Sequence, residues 1–192
     1  MRSLTLISLL ALAAPGALAT DGFRQLDSHS HGHGTLNIAI EGKLVEMELD
    51  IPGADIVGFE HRAESAEDKA AIDRAKAKLQ NGAALFVLSP EAGCEQERTS
   101  VRLIAEEDEH DDKHDHGPGS KETDTDGDGH AEFRALFRFG CAAPDRIVEI
   151  KFPFFHVFPN SQELQVQMIT SRRTYGFDVE RGTPVLKLAD QN

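Results

Sequence analysis

The chain has 192 residues, a formal net charge of −13, 40% hydrophobic residues and no Trp. That length suits one domain with a real core, and the hydrophobic share is too high for a wholly disordered chain. The acidic balance argues against nucleic acid and anionic membrane surfaces as partners, since both need a basic footprint, and it favours cations.

Residues 1–19 read as an export address. Arg2 is a minimal positive start, Leu4 to Ala14 is apolar, and Ala17-Leu18-Ala19 is a small-x-small cleavage site. This predicts a signal peptide cut after Ala19. The apolar run is only about 11 residues and a membrane span needs about 20, so the mature chain is not expected to insert in a membrane. Residues 20–192 then form a single domain. In an oxidising compartment its two cysteines, Cys94 and Cys141, are expected to form a disulfide.

The predicted elements are mostly strands. Thr35 to Glu41 alternates Leu36, Ile38 and Ile40 inward. Gly42-Lys43 is a short turn, and Leu44 to Ile51 puts Val45, Met47, Leu49 and Ile51 on one face, a hairpin pattern. Ser65 to Gln80 is the one convincing helix. Ser65 is its N-cap, Ile72, Ala75 and Leu79 are its apolar face, and Asn81-Gly82 suit its end. Strands are expected around 84–88, 99–105, 131–140, 146–152, 163–170, 172–178 and 184–188. Eight of the eleven Phe lie after residue 130, and Phe133, Phe137 and Phe139 share one face with Ala135, which predicts a Phe-rich β core. The expected fold class is mainly β (α+β): antiparallel sheets or a sandwich, one principal helix and a long acidic, His-rich loop.

That loop is the insert 106–130. Residues 106–132 hold twelve acidic residues and two lysines, a net of −10. With almost no apolar residue it cannot offset its ordering entropy by burial and is expected to be a flexible loop between strands 99–105 and 131–140. The cysteines lie beyond the far ends of those strands. A register pairing Cys94 with Cys141 has an odd residue sum, whereas matching the apolar faces, as with Val101 opposite Ala135, needs an even one. One residue must slip, at a bulge or at the bend at Gly93, so the disulfide is not expected to be a simple cross-strand pair.

Two histidine clusters carry the chemistry. His29, His31 and His33 alternate directly before the first strand, and in an extended segment they would share one face. Imidazoles so placed chelate zinc, copper, iron or nickel. The insert holds His110, His114, His116 and His130 among carboxylates that include Asp108 and Asp115. Mixed imidazole and carboxylate ligands suit zinc, and the negative field concentrates cations. Asp124-x-Asp126-x-Asp128-Gly129 resembles half a calcium loop, but its twelfth position is Ala135, not Glu, so an EF-hand is not expected. Weak Ca2+ binding by these carboxylates stays as a competing reading. His61 and His156 stand alone. By themselves they read as a capped or packed histidine and a core or semi-buried one.

In order, the features are His29-x-His31-x-His33-Gly34 leading into Thr35-Leu36-Asn37-Ile38, the segment Ile56 to His61 before a helix, and a Cys at 94. The His/Asp-rich insert, Phe137-Arg138-Phe139-x-Cys141 and Phe152 to Phe155 follow. This sequence of features resembles the ZrgA family of periplasmic zinc-binding proteins, linked to a bacterial zinc-uptake system. The resemblance implies zinc capture in the periplasm and delivery to an inner-membrane metal transporter. It also implies that His61 joins the N-terminal and insert histidines as a candidate ligand. A zinc-binding protein that is not an enzyme is the leading expectation. A calcium-stabilised structural or adhesion module is the alternative, and an exported metalloenzyme a weaker one, because no dedicated base or nucleophile motif accompanies the histidines.

Overall fold

A computed structural model describes residues 32–105 and 131–188. Strand β1 (His33–Glu41) and strand β2 (Leu44–Pro52) form the expected hairpin, pairing Glu41 with Leu44 across Gly42-Lys43. Gly42 takes φ +56°, the left-handed conformation that tight hairpin turns favour. A helical turn α1 (Gly53–Ile56) follows, then helix α2 (Ala66–Leu79). The Ser65 side chain accepts from the Asp68 amide at 3.0 Å, as its N-cap spacing predicts.

The end of α2 differs from expectation. Gly82 is not in the left-handed region and does not close the helix. Asn81 instead caps a new helical turn, α3 (Gly82–Leu85), by accepting from the Ala84 amide at 3.3 Å. The glycine is needed for space: a Cβ there would overlap the Phe137 ring. Of the strand expected at 84–88, only β3 (Val87–Leu88) remains.

Strand β4 (Cys94–Ala105) starts five residues earlier than expected and pairs with β5 (Ala131–Cys141). A short β6 (Glu149–Lys151), a helical turn α4 (Phe154–Val157), β7 (Glu163–Thr170), β8 (Thr174–Glu180) and β9 (Val185–Lys187) complete the chain. Two sheets result, β4-β5-β2-β1-β7-β8 and β3-β6-β9. The fold is mainly β. Among the described residues all pairs are antiparallel except one: β1 runs parallel to β7, with His33 opposite Glu163.

One face of the large sheet is apolar. Leu36 and Ile38 from β1, Met47 and Leu49 from β2 and Phe133 and Phe137 from β5 are buried there. They form one cluster with Ile72, Ala75 and Leu79 of α2 and with Phe86, Phe152, Phe154, Phe155 and Phe158. The Phe-rich core is as predicted. His156, expected to be at least half-buried, is exposed on α4, because its neighbours Phe154 and Phe155 take the inward positions of that turn.

Cys94 and Cys141 form a disulfide. They are direct cross-strand partners, contrary to the expectation of an indirect staple. The one-residue slip is real but lies between Gln96 and Arg98, which leaves Glu97 as a bulge. Beyond it Val101 faces Ala135, the even register that the apolar faces require. Gly140 accommodates the bulge, since a Cβ there would overlap the Glu97 carboxylate.

Candidate functional site

Of the predicted ligands, His33 and His61 are among the described residues, and both fall at the sheet end opposite the disulfide. Of the N-terminal cluster, only His33 is among the described residues. Gly32, directly before it, is itself held in place. The Gly32 amide donates to Asp55 Oδ1 at 2.8 Å, and its carbonyl accepts from the amides of Gln162 at 2.8 Å and Glu163 at 2.9 Å. Asp55 lies in α1 and is only 3% exposed. Asn160 Nδ2 donates to the Ala54 carbonyl at 3.1 Å, tying the turn before β7 to the same helical turn. A hydrogen bond of this kind contributes about 0.5–1.5 kcal/mol net, and leaving the buried amide without an acceptor would cost more, so this clamp anchors the strand start.

Gly32 has φ +87°, so the backbone there is not extended. The shared-face expectation for the three N-terminal histidines required unbroken extension through position 32. His29 and His31 themselves lie outside the described residues.

His33 begins β1 on the sheet's polar face, and its imidazole is half-exposed. Its Nδ1 stands 3.6 Å from Glu163 Oε1. That is beyond hydrogen-bond range but close to the about 3.3 Å separating two ligand atoms on one tetrahedral zinc. Parallel pairing of β1 and β7 creates this neighbourhood across more than a hundred residues of sequence. Glu163 was not foreseen as a site residue, and neither was Asp55. Nothing local in the sequence marks Glu163. Asp55 carries one faint signal, a lone carboxylate in an apolar stretch directly after a strand.

His61 is exposed on the loop after α1. Its ring stacks on Phe59, with centroids 4.6 Å apart. Its Nδ1 lies 3.0 Å from the Arg62 carbonyl oxygen. A carbonyl only accepts, so this hydrogen bond places the proton on Nδ1 and leaves the Nε2 lone pair for a metal, the arrangement that zinc-ligating histidines use. The loop is close to the insert's exit: a Cβ on Gly53 would come within 2.7 Å of the Phe59 carbonyl oxygen and 2.8 Å of that of Ala131. Pro52, at the end of β2, pairs with Glu132, and Ala105 pairs with Ala131. The start of β1, the His61 loop and both ends of the insert therefore share one end of the sheet.

Residues 28–188 match the description ZrgA family zinc uptake protein. The chain belongs to the ZrgA family of zinc uptake proteins. The match takes in the N-terminal histidines, both strands that carry the insert, and the insert itself. No curated protein matches the chain. Membership in this family associates the chain with zinc and with zinc uptake.

Among the described residues no three His, Cys, Asp or Glu side chains are grouped to hold a metal; they stop at the pair His33–Glu163. The disulfide removes Cys94 and Cys141 from ligation. His110, His114, His116, His130, Asp108, Asp115 and the half calcium loop Asp124 to Gly129 lie outside the described residues, as do residues 1–19, where a signal peptide was expected. Among the described residues no helix is long and apolar enough to cross a membrane.

Proposed function

We propose that this protein captures zinc in the periplasm and passes it to an inner-membrane importer, acting as a carrier and not as a catalyst. His29, His31 and His33 supply the principal ligands, with Glu163 as the carboxylate beside His33 and His61 offering its Nε2. The insert, through His110, His114, His116 and His130 with Asp108 and Asp115, gathers further ions at lower affinity. Family membership supports the metal and the uptake role. The observation that carries the site is the His33–Glu163 pair, set at the sheet end that also holds the His61 loop and the strand ends flanking the insert.

Calorimetric titration of the mature protein with zinc at pH 7.4 in excess calcium tests this. Sub-micromolar binding that survives calcium is expected, with that site lost on replacing His29, His31 and His33 by Ala. Protons compete for imidazole, so affinity should weaken below about pH 6. Full competition by calcium, or an unchanged isotherm in the triple variant, would refute the assignment. Turnover of an ester, amide or superoxide by the zinc-loaded protein would overturn the carrier role.

A further inference from the structure

The large sheet ends in two edge strands, β4 and β8, and they are not alike. Glu97 bulges from β4, and Glu95, Arg98 and Arg102 add charge along it. Bulges and charges of this kind keep a sheet edge from pairing with another chain. Strand β8 has no Lys, no Pro and no break in its register with β7. Tyr175, Gly176 and Phe177 at its centre carry no charge. Gly176 is exposed, and a Cβ there would meet nothing within 4 Å, so the backbone at mid-strand is open.

The ladder with β7 fixes which backbone groups are open. The Arg181 amide donates to the Gln162 carbonyl at 2.7 Å, and the Thr170 amide to the Arg173 carbonyl at 2.9 Å. Hydrogen-bonded pairs recur every second residue in an antiparallel ladder, so the odd-numbered residues of β8 direct their amides and carbonyls to β7. Those of Thr174, Gly176, Asp178 and Glu180 point off the edge. Charge is unbalanced there too. Glu180 lies opposite Glu163, and like charges so placed destabilise a sheet. Among the described residues neither Glu180 nor the exposed Arg172 has an ion-pair partner.

We propose that β8 pairs antiparallel with β8 of a second copy of this chain, about a two-fold axis at Gly176, joining two six-stranded sheets edge to edge. A two-fold contact must be self-complementary, and it makes each pairing twice. This register sets open backbone against open backbone, with Gly176 on Gly176 and Thr174 on Asp178. It sets Arg172 against Glu180, so that each Glu163–Glu180 pair gains a cation beside it. Tyr175 and Phe177, half-buried and stacked with ring centroids 6.1 Å apart, would face Phe177 and Tyr175 of the second copy. Aromatic and opposite-charge pairs are the cross-strand contacts that stabilise a sheet. The alternative centred on Phe177 would set Arg173 against Arg181 and leave Glu180 opposite Thr174. The match of β8 with itself makes a second copy the occupant.

Sedimentation of the mature protein over a concentration series tests this. The salt is about 0.15 M, where repulsion between two acidic chains is screened beyond about 8 Å. A chelator is present, so that no shared ion joins the copies. A concentration-dependent dimer is expected. R172E and E180R change the net charge in opposite directions, yet each sets like charges opposite one another twice and should weaken dimerisation by about tenfold or more. R172E/E180R should restore the dimer. Gly176→Pro removes the central outward amide without touching the β7 ladder and should abolish dimerisation. The charge variants, both at exposed positions, decide if Gly176→Pro does not fold. A monomer throughout the series, a dimer indifferent to both single charge variants, or a double variant no better than the singles would overturn the proposal.

Discussion

The β4–β5 hairpin has two ends built on opposite principles. At one end Cys94 and Cys141 are covalently joined, Cys141 is buried, and its amide donates to the Lys43 carbonyl at 2.8 Å. At the other end, ten residue steps and roughly 34 Å away along β5, the strands part into the acidic insert. Beside it, polar contacts fix the start of β1: the Gly32 amide on Asp55, the Gly32 carbonyl under two amides, and Asn160 on Ala54. His33 and His61, at this end, are exposed. An end that captures metal, as proposed for this one, must keep polar donors in water, where they cannot contribute burial energy. Rigidity therefore has to come from elsewhere in the same hairpin, and the staple at the closed end supplies it.

Breaking the closed end should have the largest effect on stability. Replacing both cysteines by Ala should cost about 2–4 kcal/mol, read as a lower denaturant midpoint. Zinc affinity of the folded fraction should stay within twofold; a large affinity loss in protein still folded by circular dichroism would show that the two ends are coupled.

A smaller and different effect is expected at the open end. Asp55→Ala leaves the buried Gly32 amide without its carboxylate acceptor and should cost about 1–3 kcal/mol. Unlike the cysteine change, it should also weaken the tightest zinc site several-fold, because His33 directly follows the clamp. Equal zinc affinity in this variant would separate the clamp from binding.

The smallest effect is expected away from both ends. Ser65→Ala removes the α2 cap and should cost about 1 kcal/mol, with no change in zinc binding. Any change in the zinc isotherm there would mean that loss of stability alone alters capture, and the contrast between the two ends would fail.

Much of this was legible along the chain. The β1–β2 hairpin, the Ser65 cap and the alternating Phe133, Phe137 and Phe139 depend on neighbours within a few residues, and each formed as its pattern predicts. Even the need for a one-residue slip followed from arithmetic, because pairing the cysteines and matching the apolar faces need registers that differ by one; its place at Glu97 did not. Gly82 was misread because its role is steric: a helix end and a close approach to Phe137 both ask for glycine, and only packing distinguishes them. His156 was misread because α4 turns it out of a run of buried phenylalanines.

The sequence by itself determined the mainly β class, the cysteine pair, and which histidines to suspect, since composition and short-range periodicity encode all three. Only the tertiary structure decided what surrounds them. The parallel alignment of β1 with β7 set Glu163 beside His33, the turn at Gly53 brought the His61 loop against the insert's exit, and Asp55 reached the amide of Gly32. Each joins residues more than twenty positions apart through strand pairing, a side-chain acceptor on a backbone amide or close packing, which carry no local pattern for a sequence to reveal.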